Sequence, residues 1–236
     1  GNVSRAENGM PYPYFYGYFT NGIFQNEAQI QAYKDKDGSL MQPNAVPGDV
    51  IFVDKNGDGY LTSDDQGMIG KGTPDWTFGI NLNAEYKNID FSMLISGQWG
   101  NDILDVTRRL DCAYVNLPAE LKDRWHGEGT SNTMPRFCWN GNDNNKNWGN
   151  PSDLYVKNGS FARIKNIQLG YTLPSQLTRK FFVERLRFYV AAENLLTLTG
   201  YKGFDPEINA DKSNGIDRGY YPQARTSVSY THLTLP

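Results

Sequence analysis

The stretch that decides the fold runs Trp76-Thr77-Phe78-Gly79-Ile80-Asn81-Leu82-Asn83-Ala84-Glu85-Tyr86, turns at Lys87-Asn88, and returns as Ile89-Asp90-Phe91-Ser92-Met93-Leu94-Ile95-Ser96-Gly97-Gln98-Trp99. Side chains alternate across a pleated strand. Trp76, Phe78, Ile80, Leu82, Ala84 and Tyr86 therefore share one face, and Thr77, Gly79, Asn81, Asn83, Glu85 and Lys87 the other. On the return strand Ile89, Phe91, Met93, Ile95, Gly97 and Trp99 oppose Asp90, Ser92, Ser96 and Gln98, with Leu94 the apolar exception. Each strand has about the ~9–11 residues that a tilted strand needs to cross a bilayer. Aromatics stand at the ends of the apolar faces, where membrane interfaces favour them. A soluble sandwich with its apolar face on a second sheet fits the same alternation.

The composition suits an all-β protein with wet loops. Of 236 residues, 39% are hydrophobic and 14% aromatic, and 24 glycines punctuate short runs. A net charge of -3 gives no basic footprint for nucleic acid. No run of ~18 apolar residues is present, which excludes a spanning helix but not a barrel. A first residue of Gly1, without a signal peptide, reads as a fragment or a processed product.

Outward from the hairpin, Tyr12, Tyr14, Phe15, Tyr16, Tyr18 and Phe19 crowd the N-terminal region. They serve either as an aromatic surface for a sugar or partner, or as packing. Tyr16–Phe24 reads as strand and turn, and Asn26 as the cap of a short helix. Asp54-Lys55-Asn56-Gly57-Asp58-Gly59-Tyr60-Leu61-Thr62-Ser63-Asp64-Asp65 follows the order of a calcium loop. Asp54, Asn56 and Asp58 take its first three ligand places, Tyr60 offers a carbonyl, Thr62 follows, and Asp65 closes the loop where a longer Glu is usual. The alternative is an Asx-rich turn held by its own hydrogen bonds. Any such ion would be structural, and no cofactor is required.

Residues 100–158 are polar and hold Trp125, Trp139 and Trp148, which either contact substrate or partner or pin the loop. Cys112 and Cys138 lie there too, as a disulfide closing a loop of about 25 residues or as two free thiols. Asp111, Glu120, Asp123 and Glu128 show no spacing that singles out a catalytic pair, so no enzyme activity is expected. Beyond Ser160, Ile167, Leu169 and Tyr171 alternate, with Ile164 out of phase as a bulge or a membrane exit would make it. Leu186, Phe188, Val190, Ala192 and Leu196 then share a face, interrupted by Asn194, against Arg185, Arg187, Tyr189 and Glu193. Charge opposite an apolar face fits a wet lumen better than a dry core.

A series of motifs resembles the C-terminal part of SusC/RagA-type TonB-dependent transporters. It comprises Gly17-Tyr18 through Gly22-Ile23-Phe24-Gln25, Gly48-Asp49 with Asp54–Gly59, Glu85-Tyr86-Lys87 with Asp90-Phe91-Ser92, and Phe161–Asn166 with Leu169–Pro174. Ala192–Thr197, Gly203-Phe204-Asp205-Pro206-Glu207 and Tyr221–Thr226 complete it, so that the series spans nearly the whole chain. The resemblance implies a partial antiparallel transmembrane β-barrel, the last strands of a plugged barrel of about 22 strands, in the bacterial outer membrane. It implies import of glycans or peptides, a SusD-like surface lipoprotein as lid, outer-membrane lipid around the wall, and coupling to the TonB complex through an N-terminal part absent from this sequence. The rival reading is a secreted, calcium-stabilised carbohydrate-binding β-sandwich module.

With the family's C-terminus in the periplasm, the calcium-like loop, residues 100–158 and the connection from Gly200 to Tyr221 are expected outside the cell, with short periplasmic turns near Asn88 and Pro174. The expected division is a loop region over 1–75, barrel strands with long loops over 76–228, and a non-native or truncated tail over 229–236. The tail ends on Pro236, which cannot donate to a sheet ladder.

Overall fold

The structure is a computed structural model and describes residues 3–107, 119–138, 142–207, 215–219 and 222–234. Its strands are β1 (Ser4–Arg5), β2 (Tyr14–Gly17), β3 (Thr20–Ile23), β4 (Val50–Phe52), β5 (Gly67–Lys71), β6 (Trp76–Tyr86), β7 (Ile89–Trp99), β8 (Asp102–Asp105), β9 (Val156–Asn158), β10 (Phe161–Thr172), β11 (Arg185–Thr199), β12 (Ile216–Asp217) and β13 (Thr226–Thr234). Two short helices, α1 (Glu27–Ala32) and α2 (Ser175–Thr178), accompany them. No described helix is long and apolar enough to cross a membrane. The chain divides into two compact units: residues 1–73, 102–157 and 211–219 form one, and 74–101, 158–210 and 220–236 the other.

The second unit is an antiparallel meander in the order β13-β11-β10-β7-β6. β6 and β7 pair from Trp76↔Trp99 to Tyr86↔Ile89, the register the alternation predicts, with Lys87 in the turn at φ 54° rather than on the strand. Register carries the apolar face across the sheet. Ile80, Ile95, Ile164 and Leu196 form one row, and Tyr86, Ile89, Tyr171 and Phe188 another. This face is open: Trp76 is 73% exposed, Ile80 47% and Trp99 67%. A soluble sandwich would have covered it. Gly97 leaves room on this face for the Phe78 ring, which a Cβ would strike.

The bulge expected near Ile164 is present, with the pairing of β10 slipping between Ile164 and Asn166 against both neighbours. Asn194 does not interrupt the apolar face, because β11 bulges there. Asn194 adopts φ 50° and donates its side chain to the Ala224 carbonyl (2.9 Å), so Leu196 returns to the apolar row. The connection near Pro174 is longer than a tight turn and contains α2 and a 3₁₀ turn over Arg179–Phe181. The long connections all leave from the Trp76–Trp99 end of the sheet. The last strand pairs with β11 as far as Thr234↔Arg185, and its Ser229 and Thr231 stand opposite Val190 and Phe188, so small polar residues end the apolar face on this side.

The first unit is a set of small sheets: β1-β2-β5, β12-β8-β9 and β3-β4. Its core gathers Phe15, Leu104 and Tyr155 in one cluster and Phe24, Ile30 and Ala45 in another. Asn26 caps α1 as expected, its side-chain oxygen accepting the Gln29 N–H (3.1 Å). Residues 100–158, expected as a loop, contribute β8, β9 and part of this core.

Candidate functional site

On the polar face of the sheet, opposite the apolar rows, strand alternation places Arg163 and Arg187. Arg163 is almost fully buried, and its guanidinium donates from Nε to Thr197 Oγ1 (2.8 Å), from one terminal nitrogen to Asp205 (2.5 Å) and from the other to Glu207 (2.9 Å). Lys165 Nζ reaches the same Glu207 carboxylate (2.6 Å). Burial works against charge on Asp205. The Arg163 guanidinium and the N–H groups of Gln223 and Glu207 outweigh it and hold the carboxyl below the usual carboxylate range. Arg163 and Lys165, Asp205 and Glu207, and Gln223, which belong to three motifs far apart in sequence, meet here. Nearer the other end of the sheet, Arg187 binds Asp90 through two hydrogen bonds (2.5 and 3.0 Å). They pass over Gly170, where a Cβ would lie 2.5 Å from the Asp90 carboxylate.

In the first unit, Gly48-Asp49 anchors the polar stretch. Asp49 is fully buried, pairs with Arg136 (2.6 Å), and accepts from Asn147 Nδ2 (2.7 Å) and the Val46 N–H (2.9 Å). The Val50 N–H donates to Asn147 Oδ1, and Gln42 and Asn145 extend the network over β4. Polar residues that read as loop thus form a satisfied interior.

The calcium-like loop is held by its own carboxylates. Asp54 accepts from the Gly57 and Gly59 N–H groups (both 2.7 Å), and Asp65 from Lys55 and Thr62 (2.9 and 2.7 Å). Asn56 and Asp58 bond each other, Tyr60 gives its hydroxyl to Asp37, and Thr62 caps a 3₁₀ turn. Burial disfavours the charged form of Asp54, but the Gly59 and Gly57 N–H groups overcome this and lower its pKa. Among the described residues no group of three or more His, Cys, Asp or Glu stands close enough to hold a metal ion.

Trp125 is half-buried, with its indole N–H on Gln25 Oε1 (3.2 Å), and Trp148 packs edge-on against Tyr155. Both pin the polar stretch to the core. Trp139 lies outside the described residues, as do Cys112 and Asp111. Cys138 is a free, buried thiol whose sulfur lies 3.8 Å from Asn147 Nδ2, and burial pushes its pKa up to about 11; the partner expected for it, Cys112, is not among the described residues. Beside α1 an open groove of about 740 Å³ is lined by Phe24, Tyr33 and Ile51, with Gln25, Gln29 and Asn132 also at its walls. The Arg163 cluster and the Asp49 network had no local signal, because Arg163 meets Asp205 across 42 positions and Asp49 meets Asn147 across 98.

Comparison with known proteins follows the same motifs. TonB-dependent receptor P3 of Formosa agariphila is 32% identical over 221 residues, which is 90% of this chain and 21% of that receptor. The chain is homologous to SusC-type TonB-dependent receptors. SusC of Bacteroides thetaiotaomicron is 27% identical over 225 residues, 95% of this chain and 20% of its own length. TonB-dependent receptor P26 of Formosa agariphila is 30% identical, covering 100% of this chain and 24% of that receptor. The chain thus spans about a fifth to a quarter of the curated relatives it matches. Solved structures of the RagAB peptide importer share the fold, with a TM-score of 0.71 in the open-open state and 0.68 in the closed-closed state, each at 23% identity. They cover 99% and 98% of this chain, which covers 23% and 24% of theirs. No family profile matches the chain. The fold class is that of an antiparallel β-barrel of the TonB-dependent transporter type, of which this chain holds a part.

Proposed function

We propose that this chain is the C-terminal part of an outer-membrane importer that takes up oligosaccharides or peptides, works with a SusD-like surface lipoprotein, and draws energy through TonB. The observation that carries this reading is the open apolar face of the five-stranded sheet, bounded by Trp76, Trp99 and Tyr86, with charged and amide side chains on the other face. A band of that kind is stable against lipid and costly against water. The sequence likeness to receptors named for TonB and SusC supports the direction of the reading. Arg163, Arg187 and Glu193 then face the lumen. The calcium-like loop, residues 100–158 and the connection between β11 and β13 stand on the cell exterior, where a lid or substrate would touch them.

The test is uptake by cells that express the whole protein. Labelled oligosaccharide or peptide should accumulate only with an intact TonB system, and the protein should fractionate with the outer membrane. Release in soluble form without detergent would overturn the reading. A structural calcium on Asp54, Asn56, Asp58, Tyr60, Thr62 and Asp65 is a second part of the proposal, supported by the order of oxygen donors. Added calcium should raise the unfolding temperature and a chelator reverse the rise, while an unchanged midpoint removes the ion from the account.

A further inference from the structure

The groove beside α1 lies within the first unit, and β3, α1 and residues 128–132 supply most of its walls. Gln25 fastens these pieces together. Its Nε2 donates to the Ile23 and Ser131 carbonyls (2.9 and 3.0 Å), and its Oε1 accepts from the Gly129 N–H (2.8 Å) and the Trp125 indole (3.2 Å). Two further amides are held by one end only. Asn132 Oδ1 accepts the Ile23 N–H (3.0 Å), and Gln29 Oε1 accepts the Gln25 N–H (2.7 Å). A backbone N–H can only donate, so the oxygen of each amide is fixed and its NH2 group is turned the other way. Among the described residues neither NH2 group has a protein partner. Gly22 makes room for this arrangement, because at φ 77° a Cβ on it would lie 2.5 Å from Asn132 Oδ1. Glu128 stands on the same groove, with Oε1 accepting from Asn26 Nδ2 (2.6 Å) and Oε2 open. Tyr33 commits its hydroxyl to the Phe52 carbonyl (2.6 Å) and leaves only ring carbon to the groove, beside Ile51.

We propose that this groove binds a short neutral oligosaccharide, with Gln29 and Asn132 as donors, Glu128 as acceptor and Tyr33 against the sugar ring. Sugar hydroxyls both donate and accept, so they match two fixed donors and an open carboxylate oxygen, while the C–H face of a sugar matches ring carbon. The groove's walls carry Glu128 and no Lys, Arg or His, which disfavours an anionic sugar. A peptide added as a strand needs free backbone, but the Thr20 and Ile23 N–H groups of β3 are already taken by Asp153 and Asn132. The volume of about 740 Å³ lies within the ~300–1,000 Å³ of small-molecule sites. The inference rests on the import reading and names a substrate class for one surface of the importer.

The experiment uses the whole protein, purified in detergent and titrated by calorimetry with neutral glucan, mannan, galactan and xylan oligosaccharides. At least one class should bind, and Asn132→Asp and Gln29→Glu should each weaken that binding about fivefold or more. Both variants keep the oxygen that accepts the backbone N–H and remove the donor, so the unfolding midpoint should hold. Gln31→Glu, on the same helix but outside the groove, should leave the affinity unchanged. Binding of none of the four classes, or binding that both groove variants leave intact, overturns the proposal. So does a peptide whose binding is lost in the same two variants, since the groove would then read peptides. The titration needs no TonB, so its failure leaves TonB-dependent uptake standing, whereas sugar binding in a protein that supports no uptake would overturn the import reading and leave the groove.

Discussion

Ile95→Arg is the substitution that presses hardest on the account of the sheet. Ile95 stands opposite Ile80 and beside Ile164, in a row that crosses four strands. It is the seventh residue of the 11-residue strand Ile89–Trp99. The ten steps between eleven residues, at ~3.3 Å each and tilted by about 40°, span about 25 Å, the height of a barrel's apolar band. Ile95 then lies about 3 Å from the bilayer midplane. A cationic side chain at that depth costs ~2–4 kcal/mol, falling to ~0–1 near the interface. Asn81→Arg is the paired control, because Asn81 stands exposed at the middle of β6 on the polar face and should change stability by less than about 0.5 kcal/mol. The assay is equilibrium urea unfolding of the whole protein in lipid vesicles, followed by tryptophan fluorescence. Equal costs for the two variants, or a cost at Ile95 as small as at a surface site, would refute the reasoning.

Three further predictions concern other sites. Asp49→Ala should loosen residues 131–138 and 142–148 by about 2–4 kcal/mol, since it strands Arg136 and the Asn147 amide; hydrogen exchange over those residues measures it, and unchanged protection refutes it. Asp205 has a depressed pKa in the folded state, so its contribution is present above the ordinary carboxylate pKa of about 3.9 and is lost as pH falls through its lower folded value. Protection of residues 203–207 should therefore hold from pH 7 to pH 5, and loosening within that range contradicts the assignment. Cys138, once any reductant is removed, should react with a maleimide at pH 8 more than ~100-fold slower than an exposed cysteine, read by peptide mass spectrometry.

The sheet was legible in the sequence because strand periodicity survives in residues that face lipid. Trp76–Trp99 alternates without a break on its apolar side, and its register follows from the turn alone. Ile164 signalled a bulge because it broke that period, whereas the compensating bulge at Asn194 read as a polar interruption. A single polar residue looks the same in sequence whether it sits on the face or is looped off it. The first unit was less legible. Its interior is built partly from Asp49, Asn147, Gln42 and Asn145, and side chains of that type imply solvent until their partners are known. The Arg163 cluster hid for a related reason. Asp205 and Glu207 stand in a short acidic motif, but nothing near them names the arginine 42 and 44 positions earlier.

The most direct measurement is a spin-label scan of residues 76 to 86, one cysteine at a time, in the whole protein in a bilayer. Collision with oxygen, which concentrates in lipid, should peak at the even positions, and collision with a water-soluble nickel reagent at the odd ones. Even positions shielded from both reagents, as they would be beneath a second layer of protein, would contradict the account.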